Sequence, residues 1–342
     1  MGNNFRRTSP GFIKNILINN LNRKLSKKSF FRPILPSFFA TLRCNLKCTY
    51  CGLVKSQVEE LSTGQTYELL EKIRPGCQAL SITGGEPLVR SDIIAIVNKV
   101  RELDFKPVFF NTNAMLLHKN EEILRLVDYL IISLDSLNQT KWDKMLGVKG
   151  AAKIIIGNIE KYVKKQKEFG FRIVINPVIT SENIVDIYEV MEFCTKNDVY
   201  VSPVPEDDWT RTNRNLIDNP KYYKLINDII EMKKEGHKNI AVTNVFLNQI
   251  LNFSEHNCLP TLVPRIYPDG SVFYPCTPLE NKYGKLQDHK NLIVMLKEAF
   301  RNQGNPDCTF NTKKCFMSCF MEPTNMIEKT CTLMLEQIRN IT

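Results

Sequence analysis

Apolar residues in this chain alternate between short continuous runs and longer stretches with helical spacing. From residue 37 onward, runs rich in β-branched and aromatic residues predict six strands, at 37–42, 79–83, 106–111, 129–134, 171–179 and 199–204. The stretches between them predict helices near 64–74, 91–104, 121–127, 151–169, 183–197 and 219–235. Repeated strand–helix units with nearly continuous apolar strands predict an α/β fold, a partial (β/α)6 TIM-like barrel.

This rhythm divides the chain into three parts. The strand–helix repeats occupy the predicted core, residues 37–236, and residues 237–342 are loop-rich and contain six cysteines. We therefore expect a small cysteine-rich C-terminal module that is held together by whatever its cysteines bind. Residues 1–36 form a basic N-terminal segment.

The N-terminal segment has both a charge bias and a helical pattern. Residues 1–32 contain eight lysines and arginines and no acidic residue, and apolar residues recur at helical spacing at Ile13, Ile16, Leu17, Leu21 and Leu25. Two interpretations remain open. The helix lies on an anionic membrane surface, or it packs on the core of the protein with its lysines in water. Nucleic acid is not an expected partner, because zinc-finger spacing and an RNP-type aromatic signature are both absent.

Composition narrows the class of protein. Of 342 residues, 43% are apolar and 24% are charged, as in globular proteins, and the sequence contains neither an apolar run long enough to span a bilayer nor a secretory signal. Eleven cysteines without an export signal predict a reducing, cytoplasmic location, where clustered cysteines more often bind metal than form disulfides. Cys77 and Cys194 stand alone in apolar surroundings and are predicted core residues.

The cysteines of the core domain follow its first strand. In "RCNLKCTYCG" (residues 43–52), Cys44, Cys48 and Cys51 lie within eight positions. Zinc sites usually take two ligands from each of two knuckles, whereas one loop can hold three corners of a cubane iron–sulfur cluster. The fourth iron is then free to take an outside ligand.

This spacing, with Tyr50 before the last cysteine, resembles the radical S-adenosylmethionine (SAM) superfamily. Further motifs of that family follow the later strands in the expected order, beginning with "TGGEP" after the second strand, and the resemblance covers about residues 37–205. It implies a 4Fe–4S cluster on the three cysteines and SAM contacts from the cysteine loop and the strand ends, namely Tyr50, Gly84, Gly85, Glu86, Asn111, Asn113, Ser133, Asp135 and Asn183.

The resemblance also implies an enzyme activity. In this superfamily, SAM chelates the open iron. An electron from reduced flavodoxin or ferredoxin then cleaves SAM to methionine and a 5′-deoxyadenosyl radical. That radical then attacks a substrate, in an oxidoreductase or a transferase reaction.

The C-terminal cysteines resemble a second kind of cluster site. "YPDGSVFYPC" predicts a hairpin around Asp269-Gly270 leading to Cys276, and the region is similar to SPASM or twitch modules, which hold auxiliary 4Fe–4S clusters. The spacing differs from the family pattern, and six cysteines suit one cluster better than two. The expected ligands are Cys258, Cys276, Cys315 and Cys319, with Cys308 and Cys331 as substitutes. Zinc is the alternative, and His256 is expected at the surface.

Three classes of function remain open. The SPASM/twitch resemblance favours a peptide or protein substrate. "CFMSCFMEPTNM" is similar to the tail of the adenosyl-transferring enzymes of hopanoid synthesis, which, with the basic N-terminus, favours a lipid or isoprenoid substrate at a membrane surface. A non-catalytic iron–sulfur electron carrier would explain the cysteines but not the motifs at the other strand ends.

Overall fold

The computed structural model describes residues 9–25, 29–53, 58–207, 214–279, 282–304 and 315–330. Its centre is a nine-stranded sheet in the order β11-β10-β9-β1-β2-β3-β4-β5-β7. The strands are, in chain order, β1 Ser37–Thr41, β2 Leu80–Gly84, β3 Val108–Thr112, β4 Tyr129–Ile132, β5 Arg172–Ile175, β6 Val178–Ile179, β7 Tyr200–Val201, β8 Val204–Pro205, β9 Arg265–Ile266, β10 Ser271–Phe273 and β11 Lys282–Lys285.

Eleven α-helices are present in the described chain. They are α1 Pro10–Leu25, α2 Thr63–Ile73, α3 Ile93–Glu102, α4 Gln139–Leu146, α5 Ala151–Val163, α6 Gln166–Phe169, α7 Ile184–Lys196, α8 Pro220–Lys234, α9 Asn244–Asn252, α10 Leu292–Gln303 and α11 Ser318–Glu328. The helix predicted at 121–127 is a 3-10 helix over residues 121–125. Within the described chain, no helix is long and apolar enough to cross a bilayer.

The parallel sheet is confirmed. Strands β1 to β5 and β7 pair in parallel with their neighbours in the sheet, and each of them is connected to the next through helical segments. No pairing between described strands joins β7 to β11, so the sheet is an open, partial barrel. Parallel strands place their carboxyl ends at one edge, which is where ligands bind in such folds.

The predicted fifth and sixth strands are each divided in two. Asn176 and Pro177 separate β5 from β6, and Ser202 and Pro203 separate β7 from β8, so that β6 and β8 form their own two-stranded parallel sheet. Proline lacks the N–H that a continuous ladder requires.

The C-terminal region joins the main sheet. Strand β9 pairs in parallel with β1, and the predicted hairpin is present as β9 and β10, turning at Gly270, whose N–H donates to the Tyr267 carbonyl at 2.9 Å. Residues 237–342, expected to be loop-rich, also contribute α9, α10 and α11. The predicted division at residue 236 remains a prediction.

The two isolated cysteines confirm their expected role. Cys77 and Cys194 are both fully buried in the main apolar core, which also contains alternate side chains of the parallel strands, such as Leu80 and Ile82 of β2.

Candidate functional site

The cysteine loop leaves the carboxyl end of β1 and is held against α4. The Lys47 N–H donates to the Leu146 carbonyl and the Thr49 N–H to the Met145 carbonyl, both at 3.0 Å. Gly147 ends α4 with φ +67°, and a Cβ atom there would lie 2.7 Å from the Lys47 carbonyl oxygen. Glycine at this position lets the helix end and the loop meet.

The thiols of this loop are partly shielded from water. Cys44 and Cys48 are half-buried, whereas Cys51 is exposed. Burial raises the pKa of the Cys44 thiol, and burial together with nearby Cys51 raises the pKa of Cys48 to about 12. A metal cation bound beside Cys44 and Cys48 would favour the thiolate form, which is the form that coordinates metal.

The ligand types of this loop suit an iron–sulfur cluster. In the described residues, no three His, Cys, Asp or Glu side chains are grouped as one metal ion requires. A cubane cluster makes a different demand, because each thiolate binds a different iron and the sulfurs need not converge on one point. Three soft thiols on one loop meet that demand, and Cys44, Cys48 and Cys51 would hold the cluster.

The glycine turn after β2 packs directly on the start of the cysteine loop. The Gly85 N–H donates to the Thr41 carbonyl and the Glu86 N–H to the Arg43 carbonyl, each at 2.9 Å. A Cβ atom at Gly84 would overlap the Thr41 carbonyl oxygen, and one at Gly85 would lie 2.7 Å from the Leu42 carbonyl oxygen. Close packing on the loop thus requires both glycines, whatever ligand the turn binds.

Glu86 connects the ends of β2 and β3 from a fully buried position. Its carboxylate accepts from the Leu88 N–H at 3.0 Å, the Thr112 hydroxyl at 2.8 Å and the Asn113 N–H at 2.6 Å. Burial raises the pKa of Glu86 to about 7 against the opposing effect of these three donors.

The other polar residues at the strand ends differ in whether their side chains are bonded within the protein or open to a ligand. Asn113 reaches the cysteine loop, where its side-chain amide donates to Asn45 Oδ1 at 2.8 Å. Asn111 donates to Ser81 Oγ at 3.0 Å and to the Ile82 carbonyl at 3.1 Å. Ser133 is exposed at the end of β4, where a ligand can reach it. Sequence reasoning missed Asn45, although it lies between two of the cysteines.

Tyr50 and Asp135 join the cysteine loop to the end of β4. The Tyr50 hydroxyl donates to Asp135 Oδ2 at 2.5 Å, and the Val178 N–H donates to Asp135 Oδ1 at 2.8 Å. Complete burial raises the pKa of Asp135 to about 6, and burial beside this carboxylate raises the pKa of Tyr50. The pair therefore fixes how the loop is seated.

Asn183, a predicted SAM contact, is fully buried, and both ends of its side-chain amide are engaged by the chain. It donates to the Asp135 carbonyl at 3.1 Å and to the Val178 carbonyl at 2.8 Å, and accepts from the Thr180 N–H at 2.7 Å. These bonds order the segment beside Asp135, and a SAM contact from Asn183 stays a prediction.

The C-terminal cysteines come together around α11. Cys258 and Cys276 belong to one apolar cluster, and the thiols of Cys276 and Cys319 are close enough to Cys315 to contribute, with burial as the main cause, to a raised pKa of that thiol. Predicted ligands Cys308 and Cys331 lie outside the described residues. The nine described cysteines form no disulfide.

Two neighbours of these cysteines were not anticipated. Arg265 is buried, and its guanidinium donates to Cys319 Sγ at 3.3 Å. His256, expected at the surface, is 8% exposed and packs on Phe316 with ring centroids 5.1 Å apart. For Arg265, the only sequence signal of a role beside the cysteines was that a single arginine stands within an apolar segment.

The two cysteine groups lie toward opposite ends of the strands of the sheet. The Cys44–Cys51 loop follows the carboxyl end of β1. Cys276 follows β10, which runs antiparallel to β9 and therefore also to β1. The chain thus reaches Cys276 on the side of the amino end of β1.

Comparisons with known proteins match the core and the whole fold separately. Residues 39–194 match the family model described as the Radical SAM superfamily. Pre-heme d1 synthase of Dinoroseobacter shibae is 32% identical over 45% of this chain and 38% of its own length. A probable GTP 3′,8-cyclase of Methanococcus vannielii is 30% identical over 46% of this chain and 53% of its own. The chain thus spans about half or less of these curated relatives.

Solved structures extend the similarity into the C-terminal region. Streptococcus suis SuiB, bound to precursor peptide SuiA, superposes with a TM-score of 0.60 at 20% identity, over 84% of this chain and 68% of its own. The structure of anSMEcpe with bound AdoMet gives a TM-score of 0.58 at 18% identity, over 84% of this chain and 88% of its own. The fold is shared with both. Residues 39–194 of this chain form a radical SAM domain, the domain whose cofactors are a 4Fe–4S cluster and S-adenosylmethionine.

Proposed function

We propose that this protein is a radical SAM enzyme that modifies a peptide or protein. When bound, the cluster and SAM supply a 5′-deoxyadenosyl radical, formed with one electron from a low-potential donor such as reduced flavodoxin or ferredoxin. The observation that carries the proposal is the direct packing of the glycine turn on the start of the three-thiol loop, through the bonds to Thr41 and Arg43. A radical reaction needs both motifs in one fixed arrangement, which an electron carrier does not.

The residues of this chain position and shield the reaction. Tyr50 and Asp135 hold the loop against β4, and Asn113 holds it against β3. Ser133 is exposed and can bind SAM. Cys44 and Cys48 are half-buried, so the protein shields part of the cysteine loop from water. Such positioning and exclusion of water are what a protein contributes to cofactor chemistry.

A peptide substrate is supported by the extent of the structural similarity. The curated relatives, whose names point to small-molecule products, match only about 45% of this chain. The folds that superpose on 84% of it include SuiB bound to a precursor peptide and anSMEcpe with a bound peptide. The C-terminal cysteines, as ligands of one auxiliary 4Fe–4S cluster, agree with that class, and the free thiols agree with a cytoplasmic location.

SAM cleavage tests the proposal. The anaerobic protein with a low-potential reductant should release 5′-deoxyadenosine, and Cys48→Ala should abolish release because only two corners of the cluster remain held. Cys194→Ala, a cysteine change in the core, should retain it. If the wild type releases no 5′-deoxyadenosine, the electron carrier is the better explanation.

A peptide partner should accelerate that release. Peptides encoded beside the gene are the probes, and their failure, combined with acceleration by isoprenoid lipids, would favour the lipid-modifying alternative. One observation supports that alternative, the exposed leucines of α1. That helix, however, contacts chain segments that lead into the amino ends of β1 and β2, away from the cysteine loop.

A further inference from the structure

Helix α1 is seated on the protein by its asparagines. Asn15 donates to the Gly76 carbonyl at 2.8 Å, and Asn19 both donates to the Arg32 carbonyl and accepts from the Arg32 N–H, each at 2.8 Å. Asn20 donates to the Ile327 carbonyl at 2.8 Å in α11. Phe12 and Ile16 pack on the apolar cluster that contains Phe31, Ile34 and Cys276. These contacts fix which side of the helix faces inward.

The opposite side of α1 carries most of its large apolar residues. Four of these residues follow one another at four-residue spacing, and all are exposed: Ile13 (39%), Leu17 (52%), Leu21 (56%) and Leu25 (74%). With 3.6 residues per turn they cover about 120° of the helix circumference. We name these four residues the outer stripe. The seating of the asparagines prevents the outer stripe from turning into the core.

The charges beside the outer stripe have one sign. Lys14 and Lys24 are exposed and, at 3.6 residues per turn, fall within the same sector of the helix. No acidic residue occurs in residues 1–32, and Arg23, on the inward side, pairs with Glu328 at 3.2 Å. Apolar residues interleaved with lysines are the composition of helices that lie in the interface of an anionic bilayer.

We propose that α1 docks the protein on an anionic lipid membrane through the outer stripe, with Lys14 and Lys24 contacting the headgroups. Charge complementarity favours lipid over a second copy of this chain, whose own α1 would bring lysines against lysines. Docking goes beyond the proposed function and does not depend on its substrate. Helix α1 contacts Arg32 and Gly76, which precede the amino ends of β1 and β2, whereas the Cys44–Cys51 loop follows the carboxyl end of β1.

Vesicle sedimentation of the full chain tests this proposal. We expect binding to phosphatidylcholine vesicles that contain about 30 mol% phosphatidylglycerol, weaker binding at high salt, and little binding to phosphatidylcholine alone. Leu17→Gln with Leu21→Gln should lower the affinity by at least about tenfold, because two inserted leucines are lost. Ile154→Gln with Val185→Gln is the matched control, since these apolar residues are also exposed but lie on α5 and α7, and should bind as the wild type does.

Three further measurements support the interpretation: vesicle binding of a lysine variant, the oligomeric state, and SAM cleavage. Lys14→Gln with Lys24→Gln should weaken binding and reduce its dependence on salt, and it serves as the test if the leucine variant fails to fold. Wild-type binding that is absent, or equal in the leucine variant, overturns the proposal. So does a wild-type dimer that the leucine changes dissociate, because the outer stripe would then be covered by a second copy. SAM cleavage in solution should be equal in all these variants, which separates this test from that of the proposed function.

Discussion

Gly84 offers the sharpest test of how the cysteine loop is positioned. Its φ of +141° is a conformation that residues with a side chain rarely adopt, and a Cβ atom would overlap the Thr41 carbonyl oxygen and lie 3.2 Å from Thr41 N. In Gly84→Ala, the end of β2 must therefore move away from the end of β1. The bond from the Gly85 N–H to the Thr41 carbonyl, 2.9 Å long, breaks with it.

The two effects set the expected magnitude. Backbone strain at such a φ costs about 1–3 kcal/mol, and the lost hydrogen bond about 1 kcal/mol more. We expect the free energy of unfolding to fall by about 2–4 kcal/mol in urea titrations of the anaerobic protein. Iron content and SAM binding should fall further than this loss of folded protein explains, because Cys44 lies three residues beyond Thr41.

Gly157→Ala is the control for this change. Gly157 lies within α5, and a Cβ atom there meets nothing within 4 Å, so alanine should stabilise the protein by about 0.5–1 kcal/mol with unchanged iron content. Wild-type stability, iron content and SAM binding in Gly84→Ala would refute the argument that glycine is required where the turn meets the loop.

Three further outcomes follow from the buried groups. Glu86 binds a proton more tightly in the folded protein than in the unfolded chain. The free energy of unfolding should therefore fall as the pH rises from 4.5 toward about 7. Over that range the wild type should lose up to about 3 kcal/mol relative to Glu86→Gln in denaturant unfolding, and parallel pH profiles would contradict the raised pKa. Tyr50→Phe should cost about 1–3 kcal/mol and weaken SAM binding in equilibrium dialysis, because the Asp135 carboxylate loses a buried donor; unchanged values would show that the pair does not seat the loop. Cys276→Ala should lower iron per chain while Cys194→Ala does not, and equal iron contents would count against the auxiliary cluster.

The sequence pattern predicted the parallel strands well, because buried strands are nearly continuous apolar runs. It predicted β5 as a single strand through residue 179, because the apolar run continues across Asn176 and Pro177. Proline interrupts the hydrogen-bond ladder while leaving the apolar pattern intact, so periodicity alone cannot detect the break. Helix α4 was missed, since its eight residues are too few for a clear repeat.

The orientation of α1 shows a second limit of pattern reading. Its apolar spacing predicted a helix, which is present from Pro10 to Leu25. The side that faces the protein was set by asparagines bonding to backbone carbonyls of distant segments, such as Gly76 and Ile327. Those partners are defined only once the chain has folded. For the same reason the engagement of Asn183 with Asp135 and Val178 could not be anticipated.

The pairing of β9 with β1 determines which experiments on the C-terminal region can be interpreted. Removing the residues after 236 would make β1, now a central strand, an edge strand that has lost its pairing at Ser37 and Phe38. Such an edge invites aggregation. A truncated chain that loses activity would therefore reveal nothing about electron transfer or substrate, because the damage would begin next to the strand that leads into the cysteine loop. Single substitutions at Cys276 or Arg265, which leave this pairing intact, are the informative way to separate the two halves.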